Sequence, residues 1–190
     1  YEYAVENGWH IAESWGVDDF DWFNEAKASG KKVWYQARST RIDVHEFSER
    51  SRHRKRIRKV GLEARVLGNG DIDTSQLWKV YQKYIRKKGF VDFYSNEGDL
   101  FRPVYGDRSY ITYSKNGELI AFSILEEVGL KSAVALQFAW DYENPKLKLG
   151  IQSMKTECAI YKEQGYKIII LGEAHNYKRS IDGFSVFGPA

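Results

Sequence analysis

Residues 132–171 decide the fold: SAVALQFAW (Ser132–Trp140), DYENPKLKL (Asp141–Leu149), then GIQSMKTECAIYKEQGYKIIIL to Leu171. The first block is an apolar, β-rich run and predicts a strand. The second is polar and holds a proline, which marks a loop. In Ile151–Gln164 the apolar residues Ile151, Met154, Cys158 and Tyr161 recur at helical spacing, with charges on the other face. Gly165 stands where a helix C′ glycine belongs. Lys167–Leu171 is a short continuous apolar run, the pattern of a strand buried on both faces. Strand, crossover helix and strand make a right-handed βαβ unit. The free N–H groups at Gly150–Gln152 then point out from the helix start, a ready site for an anion or an ester carbonyl.

Upstream, Tyr110–Ser114 alternates like a strand. Asn116-Gly117 predicts a two-residue hairpin turn, because both residues accept φ > 0. Glu118–Glu127 is the return strand, and Val128–Lys131 turns the chain into Ser132–Trp140. A three-strand meander feeding a helix and a parallel strand resembles the GNAT acyltransferase fold. The expected class is therefore α+β: a GNAT-like mixed, mostly antiparallel sheet with a βαβ unit near the C-terminus and helices on both faces.

The 190 residues suit one domain, with residues 1–35 as a candidate N-terminal appendage. Abundant aromatics (Trp 6, Tyr 13, Phe 10) argue against disorder. A single cysteine excludes an internal disulfide and a CxxC metal site, and fits a reducing, cytoplasmic compartment. Cys158 falls on the apolar helix face and reads as core. No stretch is long and apolar enough to span a membrane, and no signal-peptide pattern is present. The start at Tyr1 leaves the true N-terminus open.

Net charge is only +3, but it is unevenly spread. Seven of the ten residues in Arg50–Lys59 are basic: Arg50, Arg52, Arg54, Lys55, Arg56, Arg58 and Lys59. Ser48 reads as an N-cap and Glu49 suits the positive helix end. With few apolar anchors, such a helix faces solvent or an anionic partner. A row of Arg and Lys binds phosphates and releases counterions, without reading bases. Earlier, Asp18–Ser29 reads as a short helix, Lys32–Gln36 as a strand and Ala37–Asp43 as a loop or strand end. Leu62–Leu67 reads as a strand. A helix over Gln76–Lys88, capped by Thr74 or Ser75, buries Leu77, Val80, Tyr81, Tyr84 and Ile85. Phe90–Asp107 reads as irregular, Gly172–Gly183 as polar, and Phe184–Phe187 as a last short strand.

Residues just past a strand's carboxyl end commonly line the site in α/β sheets. His175 is a candidate general base at neutral pH, with Glu173 beside it. Asp141 follows the preceding strand, and Gln137 on that strand is placed to orient a carbonyl or amine. Each has a plain alternative as a solvated polar residue. No Ser-His-Asp spacing, metal motif or P-loop is present. GNAT enzymes that use acyl-CoA resemble one another in a Gln/Arg-x-x-Gly-x-Gly/Ala loop; here Leu147 stands three before Gly150 and Gln152 two after it, which weakens acetyl-CoA as donor.

Taken in order, several segments resemble the C-terminal domain of arginyl-tRNA–protein transferases and the related bacterial leucyl transferases. Trp140-Asp141 and Leu147-Lys148-Leu149-Gly150 fall on that family's aromatic–Asp and Leu-x-Leu-Gly segments. Asn116-Gly117-Glu118-Leu119-Ile120-Ala121 is similar to its Asp-Gly-Lys-Leu-Ile-Ala hairpin. Arg38-Ser39-Thr40-Arg41-Ile42-Asp43, then Phe47, Ser48 and the Arg-rich segment, is similar to its Arg-Ile-Asp segment. The resemblance runs from about Gln36 to Phe187. The family's N-terminal cysteine cluster is absent, and Glu173–Arg179 replaces its Lys-Met-x-Tyr-Lys element.

The resemblance implies an aminoacyltransferase (EC 2.3 class) that takes an amino acid from charged tRNA to an amine on a protein N-terminus, a peptide or a small molecule. Gly150 and Ile151 would supply oxyanion donors. Trp140, Arg38 and Arg41 would help hold substrate, and Arg50–Lys59 the acceptor stem. No cofactor is expected beyond aminoacyl-tRNA as co-substrate. The alternatives are an acyl-CoA-dependent GNAT N-acyltransferase, with acetyl-CoA as donor and nucleic acid or a small amine as acceptor, a base-modifying nucleic-acid transferase, and an inactive RNA-binding module.

Overall fold

Asn116 and Gly117 both take left-handed backbone (φ 54° and 81°), so the Asn-Gly turn closes a hairpin as its chemistry requires. The computed structural model describes residues 39–48, 61–90, 94–104, 106–128, 131–141, 148–173 and 175–187. In chain order these hold β1 (Ser39–Asp43), β2 (Leu62–Gly68), α1 (Thr74–Lys88), α2 (Glu97–Phe101), β3 (Arg108–Lys115), β4 (Glu118–Val128), β5 (Ser132–Trp140), α3 (Leu149–Glu163), β6 (Ile168–Glu173), a 3-10 turn (Asn176–Ser180) and β7 (Phe184–Phe187). The strands form one sheet in the order β2-β3-β4-β5-β6-β1-β7. All pairings are antiparallel except β5 with β6. This is the expected α+β mixed sheet with its βαβ unit.

The two faces of the sheet carry different helices. Along β4, Ala121 and Leu125 join the α3 side with Leu149, Cys158 and Tyr161, while Phe122 and Ile124 face Leu77, Val80 and Tyr81 of α1 and Leu100 of α2. Strand alternation sorts the residues in this way. Cys158 is fully buried, in keeping with a core role.

Several boundaries differ from the sequence reading. Asp73, not Thr74 or Ser75, caps α1; its carboxylate accepts from the N–H groups of Ser75 and Gln76. A carboxylate outdoes a hydroxyl there because it faces the positive end of the helix. Residues 39–43, expected as a loop or strand end, form a strand between β6 and β7. α2 lies inside the segment read as irregular; Asn96 caps it through Asp99 N–H. α3 begins at Leu149, two residues before Ile151. The predicted helix at 18–29, the strand at 32–36 and the basic segment at 50–59 lie outside the described residues.

The link from α2 to β3 is anchored by a buried ion pair. Arg108 donates through Nε (2.8 Å) and Nη2 (2.5 Å) to Glu126. The remaining guanidinium donors reach Leu100 O (2.9 Å) and Arg102 O (2.7 Å). The Glu126 carboxylate also accepts from the N–H of Val104 (2.9 Å) and Gly106 (3.4 Å). Gly106 allows the link to close down on the sheet, since a Cβ there would sit 2.3 Å from Glu127 O.

Removing one partner of a buried pair strands the other charge. Arg108→Met is expected to cost about 3–5 kcal/mol, read by urea unfolding. Arg108→Met combined with Glu126→Leu should recover part of that loss. A loss below about 1 kcal/mol in the single variant would mean that the backbone N–H groups alone satisfy Glu126.

Candidate active site

The parallel strands β5 and β6 pair at Ser132↔Ile168, Ala133↔Ile169 and Val134↔Ile170, and then part. Beyond that point β5 stays with β4, where a register shift between Ile124 and Leu125 leaves Leu136 as the extra residue. β6 continues to Glu173 alongside β1. The gap therefore opens at the carboxyl ends of the two parallel strands, where the topology puts ligands.

α3 starts beside this gap. A Cβ on Gly150 would lie 3.9 Å from Phe138 Cε1, so the first turn rests directly on β5. Lys148 takes left-handed backbone (φ 51°), and no side chain caps the helix among the described residues. The first helical hydrogen bond runs from Gln152 N–H to Lys148 O (3.3 Å). The N–H groups of Gly150 and Ile151 thus precede the helical ladder at the positive end of the dipole. Gln137 is half-buried on β5, its Nε2 donating to Phe138 O (2.8 Å), and strand alternation sets it on the α1 face with Ala139, away from these N–H groups.

The other expected residues are more dispersed. His175 is exposed just after β6, its ring stacked on Tyr177 (5.8 Å, 12° between planes). Glu173 ends β6, paired with Ser39, and its side chain lies outside the described structure. Asp141 follows β5 as expected, but Lys83 Nζ holds its carboxylate at 2.8 Å and draws it toward α1, on the far face from α3. Trp140, expected to hold substrate, is 6% exposed and packs in the α3-side core, because strand alternation turns it inward. Arg41 is half-buried on β1, its Nε donating to Ser185 Oγ (3.3 Å) on β7. Arg38 and Arg50, Arg52, Arg54, Lys55, Arg56, Arg58 and Lys59 lie outside the described residues.

Besides the Arg108–Glu126 pair, two more buried ionisable residues escaped the sequence reading. Lys178 is 6% exposed, and its Nζ donates to Leu171 O at 2.5 Å, under the end of β6. Glu157 is 2% exposed on α3. Ser123 Oγ donates to its Oε1, and Tyr113 OH lies 3.4 Å from the same oxygen. Burial pushes the Glu157 carboxyl up to about 7, and the Ser123 and Tyr113 hydroxyls restrain that rise. A signal was present: Gly150, Ser153 and Glu157 follow the i, i+3, i+7 stripe next to Met154, Cys158 and Tyr161.

The chain matches no protein-family model and no curated protein. Solved structures are similar to it at low identity. The C-terminal domain (DUF2156) of a protein assigned as a lysylphosphatidylglycerol synthetase from Agrobacterium fabrum is 14% identical, with a TM-score of 0.59 over 82% of this chain and 52% of that one. A GCN5-related glucosamine N-acetyltransferase region of a fungal multi-domain GH3 β-N-acetylglucosaminidase is 14% identical, at 0.56 over 94% and 23%. FemX is 12% identical, at 0.55 over 90% and 67%. The chain spans about half the length of the first of these. The likeness carries the fold: a mixed, mostly antiparallel sheet of the GCN5-related N-acetyltransferase type.

Proposed function

We propose that this domain is an aminoacyltransferase that moves an amino acid from charged tRNA to an amine. The observation that carries the reading is the parting of β5 and β6 beside the uncapped first turn of α3. An ester carbonyl lying in the gap meets the N–H groups of Gly150 and Ile151, and these stabilise the oxyanion as it forms. The amine attacks in its neutral form, the carbon–oxygen bond to the ribose breaks, and the ribose oxygen leaves with a proton. An activated ester and a free amine need mainly orientation, which suits a site without a strong nucleophile. His175, on the β6 side of the gap, is the proposed base.

The neighbours support this class. A lysylphosphatidylglycerol synthetase, by its name, makes an aminoacyl ester, which is aminoacyl transfer. The basic run at 50–59 supports a tRNA partner through phosphate contacts. No helix among the described residues is long and apolar enough to cross a membrane, and charged tRNA places the proposed work in the cytoplasm. The arginyl/leucyl transferase resemblance remains part of the proposal. The second reading is an acyl-CoA N-acyltransferase, favoured by the match to an N-acetyltransferase region over 94% of the chain. The sequence Leu147–Gln152, which lacks the CoA pattern, weighs against it.

Binding of charged and uncharged tRNA across a salt series, with acetyl-CoA as a separate ligand, tests the choice. Preference for charged tRNA with a steep salt slope is expected; CoA binding without tRNA affinity would overturn the reading. Reversing the charge of Arg54, Arg56 and Arg58 should weaken tRNA binding and flatten its salt slope by about one unit per lost phosphate contact. His175→Ala should slow transfer roughly a hundredfold, measured in single turnover, and a near-wild-type rate would remove His175 from the mechanism.

A further inference from the structure

Glu157 does not touch the proposed reaction, yet it is joined to the site by a continuous set of contacts. Tyr113 OH has one proton and two acceptors at almost equal distance: Glu157 Oε1 at 3.4 Å and Ser153 O at 3.3 Å. Ser153 Oγ donates to Gly150 O at 3.0 Å. The Tyr113 ring meets Phe138 edge-on (6.4 Å), and Phe138 is the residue against which Gly150 rests. Gly150 and Ser153 are small, which lets the first turn of α3 settle on these two rings.

We propose that Glu157 is a positioning residue for aminoacyl transfer: through Tyr113 and Ser153 it sets the first turn of α3, and the proton on its carboxyl decides which acceptor Tyr113 serves. With Glu157 ionised, both the Ser123 and Tyr113 hydroxyls turn to the carboxylate. With Glu157 protonated, its carboxyl no longer needs two donors, and the Tyr113 hydroxyl turns to Ser153 O and tightens the turn that carries the Gly150 and Ile151 N–H groups.

The surroundings fit such a role. Among the described residues Glu157 has no basic partner. Tyr113 on β3 and Cys158 and Tyr161 on α3 are the titratable groups nearest to it; burial raises all three, Tyr161 to about 12. They stay neutral through the physiological range. Tyr161 is bonded to Ser109, and Glu127 and Tyr166 lie beyond it. The Arg108–Glu126 pair is on the opposite face of the sheet. Glu157 is then the group of this cluster that titrates near neutrality. Its folded value, about 7, lies above the ordinary 4.5. The protonated carboxyl therefore contributes stability that is complete below about 4.5 and is lost as pH rises through 7.

The inference rests on the aminoacyl-transfer reading, so its test has a readout that needs no activity. In protein labelled with 15N-glycine, the Gly150 amide resonance is expected to move with pH with a midpoint near 7. In Glu157→Gln the movement should vanish, and in Tyr113→Phe, which keeps the acid but removes the shared donor, it should shrink. A Gly150 resonance that ignores pH in the wild type overturns the inference, whether or not the protein transfers amino acids. In single-turnover transfer, Glu157→Gln is expected to alter the pH profile near neutrality and to change the transfer rate constant by about tenfold to a hundredfold with the half-saturating tRNA concentration unchanged. A wild-type protein that transfers to no amine refutes the aminoacyl reading. A wild type that transfers, with a Glu157→Gln variant matching its pH profile, refutes Glu157. Should Glu157→Gln melt far below the wild type, Tyr113→Phe carries the same comparison.

Discussion

Three residue pairs join β5 to β6, and the rest of the site depends on how short that seam is. Among the described residues it is where the antiparallel run β2-β3-β4-β5 meets the group β6-β1-β7. α3 spans the seam as the crossover of the βαβ unit and holds the two halves in register. A longer parallel ladder would close the gap between them. A register shift on the β4 side turns β5 away just past the seam, while β1 keeps β6 in place. The opening follows from hydrogen bonding and needs no loop to create it.

Two buried acids show how the same side chain serves opposite ends. Glu126 is paired: a guanidinium and two backbone N–H groups meet its carboxylate, which fastens a link to the sheet. Among the described residues Glu157 meets two hydroxyls and no cation, so burial dominates and its carboxyl keeps the proton up to a pH of about 7. The first arrangement gives rigidity. The second gives sensitivity to the proton, beside the turn that would contact substrate.

Fold and function separate here, as they do in many widely used folds. The similar structures share this chain's architecture at 12–14% identity, yet the names of two of them point to different transferred groups, lysyl and acetyl. What they share with this chain is the fold.

Local chemistry made much of the fold readable. Asn116-Gly117 dictated its hairpin, because few other pairs accept φ > 0 twice. The run KIIIL marked a strand buried on both faces, and Ile151, Met154, Cys158 and Tyr161 marked the buried side of α3. Gly150 and Ile151 fell at the helix start as their position implied. Other features depended on partners distant in sequence. The place of β1 between β6 and β7 is a long-range pairing that its five residues do not announce. Trp140 turned inward and Asp141 turned to Lys83, because alternation and a helix 58 residues upstream decided their directions. Glu157 reads as a surface charge in the sequence. It became a buried acid only when β3 and β4 brought Tyr113 and Ser123 to α3, since burial and hydrogen bonding are properties of the assembled core.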